Sequence, residues 1–148
     1  HLFRMGDENL VYSNGKKHLI VRIKNWRVAF FICYDLRFPV WCRNRNDYDV
    51  AVFVANWPEN RNYIWKNLLI SRAIENQSYV IGVNRTGRDG NGIRYSGNSA
   101  IINPSGKHEL YTEYKIGIYS TELSKEILEN FREKFPAYKD ADNFKLIL

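Results

Sequence analysis

Cys33, Tyr34, Asp35 and Arg37 follow directly on an unbroken apolar run, Val28 to Ile32. A run of that kind is the pattern of a strand covered on both faces, and polar residues then return at helical spacing. A thiol at the strand's end, facing the first turn of a following helix, would meet unpaired N–H groups and a positive dipole end. Both favour thiolate and predict a lowered cysteine pKa. The plainer role for Cys33 is a small buried hydrophobe. If the thiol is reactive, nucleophilic catalysis is within its chemistry, given a base to move its proton and donors for the charge that develops. A histidine is the first partner to look for. His18 falls on an alternating strand and His108 behind a turn, so both read as surface residues and a Cys–His pair is not supported.

The elements that must hold Cys33 follow in chain order. Ser13-Asn14-Gly15 is a turn. Leu19 to Lys24 alternates apolar and basic residues like a half-exposed strand, and Asn25-Trp26 connects it as a hairpin to Arg27 to Ile32. Leu36 to Arg45 reads as a short helix with Pro39 in its first turn. Asp49 to Ala55 is a second buried strand, ended by Asn56-Trp57-Pro58. Asn60 can cap a helix from Asn62 to Asn76, where Ile64, Trp65, Leu68, Leu69 and Ala73 recur at helical spacing. Its apolar face is wide enough to meet a partner subunit as well as its own sheet. Tyr79 to Val83 is a third buried strand and Thr86 to Gly92 a glycine-rich loop without phosphate-loop spacing. Ser99 to Asn103 and Lys115 to Tyr119 read as strands joined across Pro104-Ser105-Gly106. Leu123, Ile127, Leu128 and Phe131 mark a last helix stopped by Pro136. In the tail, Tyr138, Phe144 and Leu146 are set to pack on something. Alternating strands and helices predict a layered α/β sheet.

With 148 residues, 45% of them apolar, the chain can bury a core as one domain. No apolar run approaches the roughly 20 residues that span a bilayer, and there is no signal-peptide pattern, so no membrane partner is expected. Cys33 and Cys42 form neither a disulfide framework nor a metal site, and a reducing, cytoplasmic setting suits a free thiol. The net charge of +6 raises the question of nucleic acid. Basic residues gather at Arg37, Arg43 and Arg45 and at Arg85, Arg88 and Arg94, but acidic residues interrupt them and no nucleic-acid-binding signature is present, so that partner is not expected either.

Ile32-Cys33-Tyr34-Asp35-Leu36-Arg37-Phe38-Pro39 resembles the nucleophile segment of the nitrilase, or carbon-nitrogen hydrolase, superfamily. Four more segments agree in order: His1-Leu2-Phe3-Arg4-Met5, Val54-Ala55-Asn56-Trp57-Pro58, Ser71-Arg72-Ala73-Ile74-Glu75-Asn76-Gln77, and Gly97-Asn98-Ser99 leading to Ile102-Asn103-Pro104-Ser105-Gly106. The resemblance is closest to the bacterial omega-amidase-like branch and runs over nearly the whole chain.

It implies a Glu-Lys-Cys triad with Cys33 as the nucleophile and the Tyr34 N–H as an oxyanion donor, without cofactor or metal. The family's lysine precedes the segment matching His1-Leu2-Phe3, and its base glutamate lies further upstream. Lys16, Lys17 and Lys24 do not match either position. Glu8 resembles the family's second, supporting glutamate, or else is an exposed loop carboxylate. The resemblance places Asn56 and Trp57 beside the thiol, at the strand ends where open α/β sheets hold ligands. Arg61, Arg85 and Arg88 are candidates for binding a substrate carboxylate. Asp35 and Arg37 are expected to tie the elbow in place, and Arg72, Glu75 and Asn76 to serve the helix and a dimer contact.

The implied fold is part of a four-layer α-β-β-α sandwich, with this chain as the later part of one domain and the inner face of its sheet left uncovered. The implied activity is hydrolysis of a small linear amide such as 2-oxoglutaramate, with water as the second substrate. The implied assembly is a homodimer through the helices after Cys33 and Asn60. Nitrile and carbamoyl hydrolysis share the nucleophile. A further alternative is a half-domain that is inactive alone.

Overall fold

The computed structural model describes residues 1–145. A single 3-10 turn, Arg4–Gly6, and the short helix α1, Glu8–Val11, lead in without burying a side chain. Strands β1 (Leu19–Ile23) and β2 (Trp26–Ile32) form the predicted hairpin, but the turn is Lys24-Asn25 and Trp26 already pairs with Ile23. Lys24 takes a left-handed conformation, φ 54°, which a two-residue hairpin turn requires.

Strand β3 (Val50–Ala55), helix α2 (Asn62–Asn76) and strand β4 (Tyr79–Asn84) follow where the apolar patterns place them. Strands β5 (Thr86–Arg88) and β6 (Arg94–Ser96) make a separate small hairpin. Strands β7 (Ser99–Ile102) and β8 (His108–Thr112) return to the main sheet, and α3 (Lys125–Lys134) follows. The main sheet is six-stranded in the order β1-β2-β3-β4-β7-β8, parallel where β2, β3 and β4 meet and antiparallel elsewhere. The predicted α/β class holds. Among the described residues no helix is long and apolar enough to cross a membrane.

The first residues of the apolar runs of β2 and β3 are covered on both faces. Ala29, Phe31, Ala51, Phe53 and Val80 pack against Trp65, Leu69 and Ala73 of α2. The two layers touch at Gly82, where a Cβ would lie 2.4 Å from Leu69 Cδ1. On the opposite face Val28, Val50 and Tyr79 bury against Leu128 of α3. That helix reaches only the lower half of the sheet. Toward the strand ends that carry Cys33, Phe30, Ile32, Val54 and Val83 stay between 38% and 68% exposed. The exposed apolar residues of this face thus gather mainly in the half nearest the thiol.

Several local expectations are corrected. No helix spans Leu36 to Arg45; a 3-10 turn, Cys33–Arg37, is followed by irregular chain. The residue before a proline is pushed out of the helical region, and Phe38, at φ −112° and ψ 89°, stops the turn. Asn60 does not cap α2, because Glu59–Arg61 forms a 3-10 turn and Arg61 takes the cap position without a side-chain bond. The glycine-rich segment from Thr86 is a hairpin, its three-residue strands being too short to show a period. The partner of β7 is β8, directly after the Pro104-Ser105-Gly106 turn, and not Lys115 to Tyr119; Asn103 Oδ1 tightens that turn by accepting from the Ser105 and Lys107 N–H groups.

Arg72 and Asn76 are buried within the chain. Arg72 Nη2 donates to the Leu36 carbonyl at 2.7 Å and Asn76 Oδ1 accepts from the Asn44 N–H at 2.8 Å, which binds α2 to the segment after Cys33. In the tail, Ala137–Asp140 is a 3-10 turn and the Arg45 guanidinium lies 4.5 Å from the Phe144 ring centroid. Leu146 lies outside the described residues.

Candidate active site

Strand β2 ends at Ile32, and Cys33 turns the chain with a left-handed backbone, φ 42°. For a residue with a Cβ this conformation is costly and is kept only where the surroundings impose it. Asp35 imposes it here. Its Oδ2 accepts from the Ile32 N–H at 3.0 Å, and its Oδ1 lies 2.6 Å from the His1 main-chain nitrogen and 2.9 Å from His1 Nδ1. The His1 ring stacks on Phe38 at 3.6 Å between centroids, so it braces the elbow and does not partner the sulfur.

The half-buried Cys33 side chain opens into a cavity of about 420 Å³, with Phe3, Glu8, Tyr34, Arg37, Asn56, Trp57 and Arg61 among its lining. Burial pushes the thiol above its ordinary pKa. A main-chain hydrogen bond from Asn56 pulls it down, the Glu8 charge raises it, the Arg61 charge lowers it and the Asp35 charge raises it. The expected lowered pKa is therefore overturned: the turn after Cys33 is five residues of 3-10 helix with a weak dipole, and loss of water around the sulfur outweighs it.

Glu8 reaches the cavity because its Oε2 accepts from the Phe3 N–H at 2.7 Å, folding the leading segment over the site. Trp57 is buried at the end of β3, with its Nε1 donating to the Arg61 carbonyl at 2.9 Å. The Arg61 guanidinium lies 5.4 Å from the Phe3 ring centroid and that of Arg37 lies 5.1 Å from the Trp57 ring. Among the described residues neither arginine is in an ion pair. Two cations and one carboxylate thus face a mostly apolar cavity, a setting suited to a small acidic substrate. No lysine or histidine is among the residues lining it.

Cys33, Tyr34, Glu8, Asn56, Trp57 and Arg61 come together as the sequence reading has them; Arg85 and Arg88 do not join them. The β5–β6 hairpin carries both away, Arg85 onto the Tyr95 ring at 4.8 Å and Arg88 onto the Gly92 carbonyl at 3.3 Å. Two residues gain a place that the sequence reading did not assign. Arg37 lines the cavity, and Asn84, at the end of β4, holds the Trp57 peptide from both sides. An asparagine at a strand's end resembles any turn residue, so only the parallel register of β3 and β4 identifies it. Among the described residues no group of acidic, histidine and cysteine side chains could hold a metal.

The model of the carbon-nitrogen hydrolase family matches residues 1–126. The chain is 52% identical over 147 residues to the omega-amidase YafV of Escherichia coli strain K12, covering 99% of this chain and 57% of that protein. It is 35% identical to the 2-oxoglutaramate amidase of Bacillus subtilis, over 95% of this chain and 54% of that one. Among solved structures it resembles XC1258 of Xanthomonas campestris, a CN-hydrolase superfamily protein with an arsenic adduct in its active site, with a TM-score of 0.96 and 45% identity over 99% of this chain and 58% of that one. The chain therefore spans little more than half the length of these relatives. The matches run over nearly all of it. With its fold, its ordered motifs and these matches in agreement, the chain belongs to the carbon-nitrogen hydrolase family.

Proposed function

We propose that the chain carries the nucleophile of an amidase that hydrolyses a small linear omega-amide, 2-oxoglutaramate being the type, to the corresponding acid and ammonia. The observation that carries this reading is Cys33, held in a left-handed turn at a cavity that Arg37 and Arg61 also line. A thiol bonds to the amide carbon while a remote carboxylate of the substrate meets an arginine. The names of the YafV and 2-oxoglutaramate amidase relatives support the same substrate class.

In the first step a Cys33 Sγ–carbon bond forms and the carbonyl π pair moves to oxygen. The Tyr34 N–H, in the first turn after the strand and without an intrahelical acceptor, is the donor assigned to that oxyanion. Collapse breaks the carbon–nitrogen bond, and the amide nitrogen leaves as ammonia with the thiol's proton. Water then cleaves the thioester, releasing the acid and restoring the thiol. Because burial holds Cys33 as a thiol, the first step needs a group to move that proton. Glu8 is the carboxylate lining the cavity and is assigned a supporting part in that transfer.

The test is ammonia release from 2-oxoglutaramate by the full chain and by Cys33→Ala, with mass spectrometry for an acyl adduct on Cys33. The expected result is an adduct and turnover in the wild type and neither in the variant. Undiminished turnover by Cys33→Ala overturns the reading.

A further inference from the structure

Asn84 is 8% exposed, and its carboxamide is wholly engaged with main-chain groups. Oδ1 accepts from the Trp57 N–H at 2.7 Å, while Nδ2 donates to the carbonyls of Trp57 at 3.0 Å and Gly97 at 2.8 Å. Its own peptide is gripped by Ser99, whose Oγ accepts from the Asn84 N–H at 3.0 Å and donates to the Asn84 carbonyl at 3.2 Å. The β3–β4 ladder ends where Ala55 faces Asn84. Beyond that point the side chain takes over from the backbone and continues the pairing to Trp57.

Only an amide fits this place. A carboxylate would face two carbonyl oxygens with nothing to donate, and alanine would leave the Trp57 peptide without its partners. The loop held in this way lines the Cys33 cavity with Asn56 and Trp57, and its Trp57 ring carries Arg37.

We propose that Asn84 is a positioning residue for the nucleophile: acting through the Trp57 peptide, it fixes the Asn56-Trp57 wall of the cavity beside Cys33 and keeps the sulfur ready to react. This rests on the reading of Cys33 as the nucleophile. Asn84 does not touch the sulfur, so its effect must pass along the loop. It therefore shows in the titration of Cys33 and not merely in stability.

The experiment labels the full-length wild type, Asn84→Ala and Asn84→Asp with iodoacetamide from about pH 6 to 10, following Cys33 and Cys42 separately by peptide mass spectrometry. Fully buried Cys42 reports unfolding. With Cys42 still protected, the Cys33 midpoint is expected to move up in both variants, each unit costing about tenfold in rate at a pH below it, with the alkaline plateau retained. An unchanged midpoint in a folded variant overturns the inference. Exposure of Cys42 in both variants also overturns it, since Asn84 is then a folding residue only. No amidase turnover is needed for this readout. A wild-type Cys33 that never labels brings down the nucleophile reading together with the inference, whereas a wild type that titrates identically to its variants brings down the inference alone.

Discussion

Arg132 Nη1 donates to Asp49 Oδ1 at 2.9 Å, joining the last helix to the residue that precedes β3. The same carboxylate, itself without solvent exposure, takes Arg27 Nη2 at 2.9 Å and Lys125 Nζ at 2.6 Å. This places one buried anion at the end of the sheet opposite the thiol, with three cations from two elements around it.

Replacing Asp49 by Asn is expected to cost about 3 kcal/mol, because it leaves the buried Arg132 and the half-buried Arg27 and Lys125 without their partner. Burial pushes this carboxyl up, but Arg27 and Lys125 outweigh that and hold it well below the usual carboxylate range. A group with a depressed folded pKa stabilises fully above its unfolded pKa of about 4 and loses that contribution as pH falls toward the folded value. Urea midpoints measured against pH should therefore show the wild-type advantage over Asp49→Asn intact near neutrality and shrinking below about pH 4. A gap that stays constant into acid would contradict the assignment.

Gly82→Ala should destabilise the fold by about 2 kcal/mol through overpacking. The added methyl would sit 2.4 Å from Leu69 Cδ1 and 3.0 Å from the Trp65 ring, both in the buried face of α2. Chemical denaturation measures the loss; a neutral result would mean that α2 can slide away from β4.

Arg61→Ala is expected to raise KM for an omega-amide of a dicarboxylate by about 10- to 100-fold, the worth of a charge-assisted hydrogen bond. A neutral amide of the same length should be nearly indifferent to the change. Equal effects on both substrates would mean that the guanidinium does not meet the carboxylate. Arg61→Lys should rescue only partly, because a point charge lacks the planar fork.

Labelling of wild-type Cys33 should rise with pH about a midpoint above the roughly 8.5 of a free cysteine. Burial is the largest influence on this thiol, ahead of the Asn56 main-chain bond. Removing the Arg61 cation withdraws an influence that lowers the thiol, so Arg61→Ala should move the midpoint further up. Cys42, wholly buried and pushed up to about 12, should stay unlabelled throughout. A Cys33 midpoint below that of a free cysteine would show that a nearby cation governs the sulfur and burial does not.

The strands around Cys33 and the bounds of α2 were legible because long apolar patterns with clear periods leave little choice of element. The left-handed turn at Cys33 was not, since no residue type there announces a positive φ. Arg37 reads as an elbow residue from its neighbours in sequence, and only the position of Trp57 brings it into the cavity. Arg85 and Arg88 read equally well as ligands until the short β5–β6 hairpin aims them elsewhere. The lowered thiol pKa expected from a helix dipole failed because Pro39 allows no helix of useful length to form.

Ile32 and Val54 line the cavity and also belong to the bare half of the sheet. The Cys33 cavity and this exposed apolar surface therefore share a wall. Anything that settles on that surface lowers the local dielectric constant, strengthening the hold of Arg61 and Glu8 on the sulfur and making the thiolate costlier to form. Contact on that surface would thus shift the ionisation of the thiol without touching the sulfur.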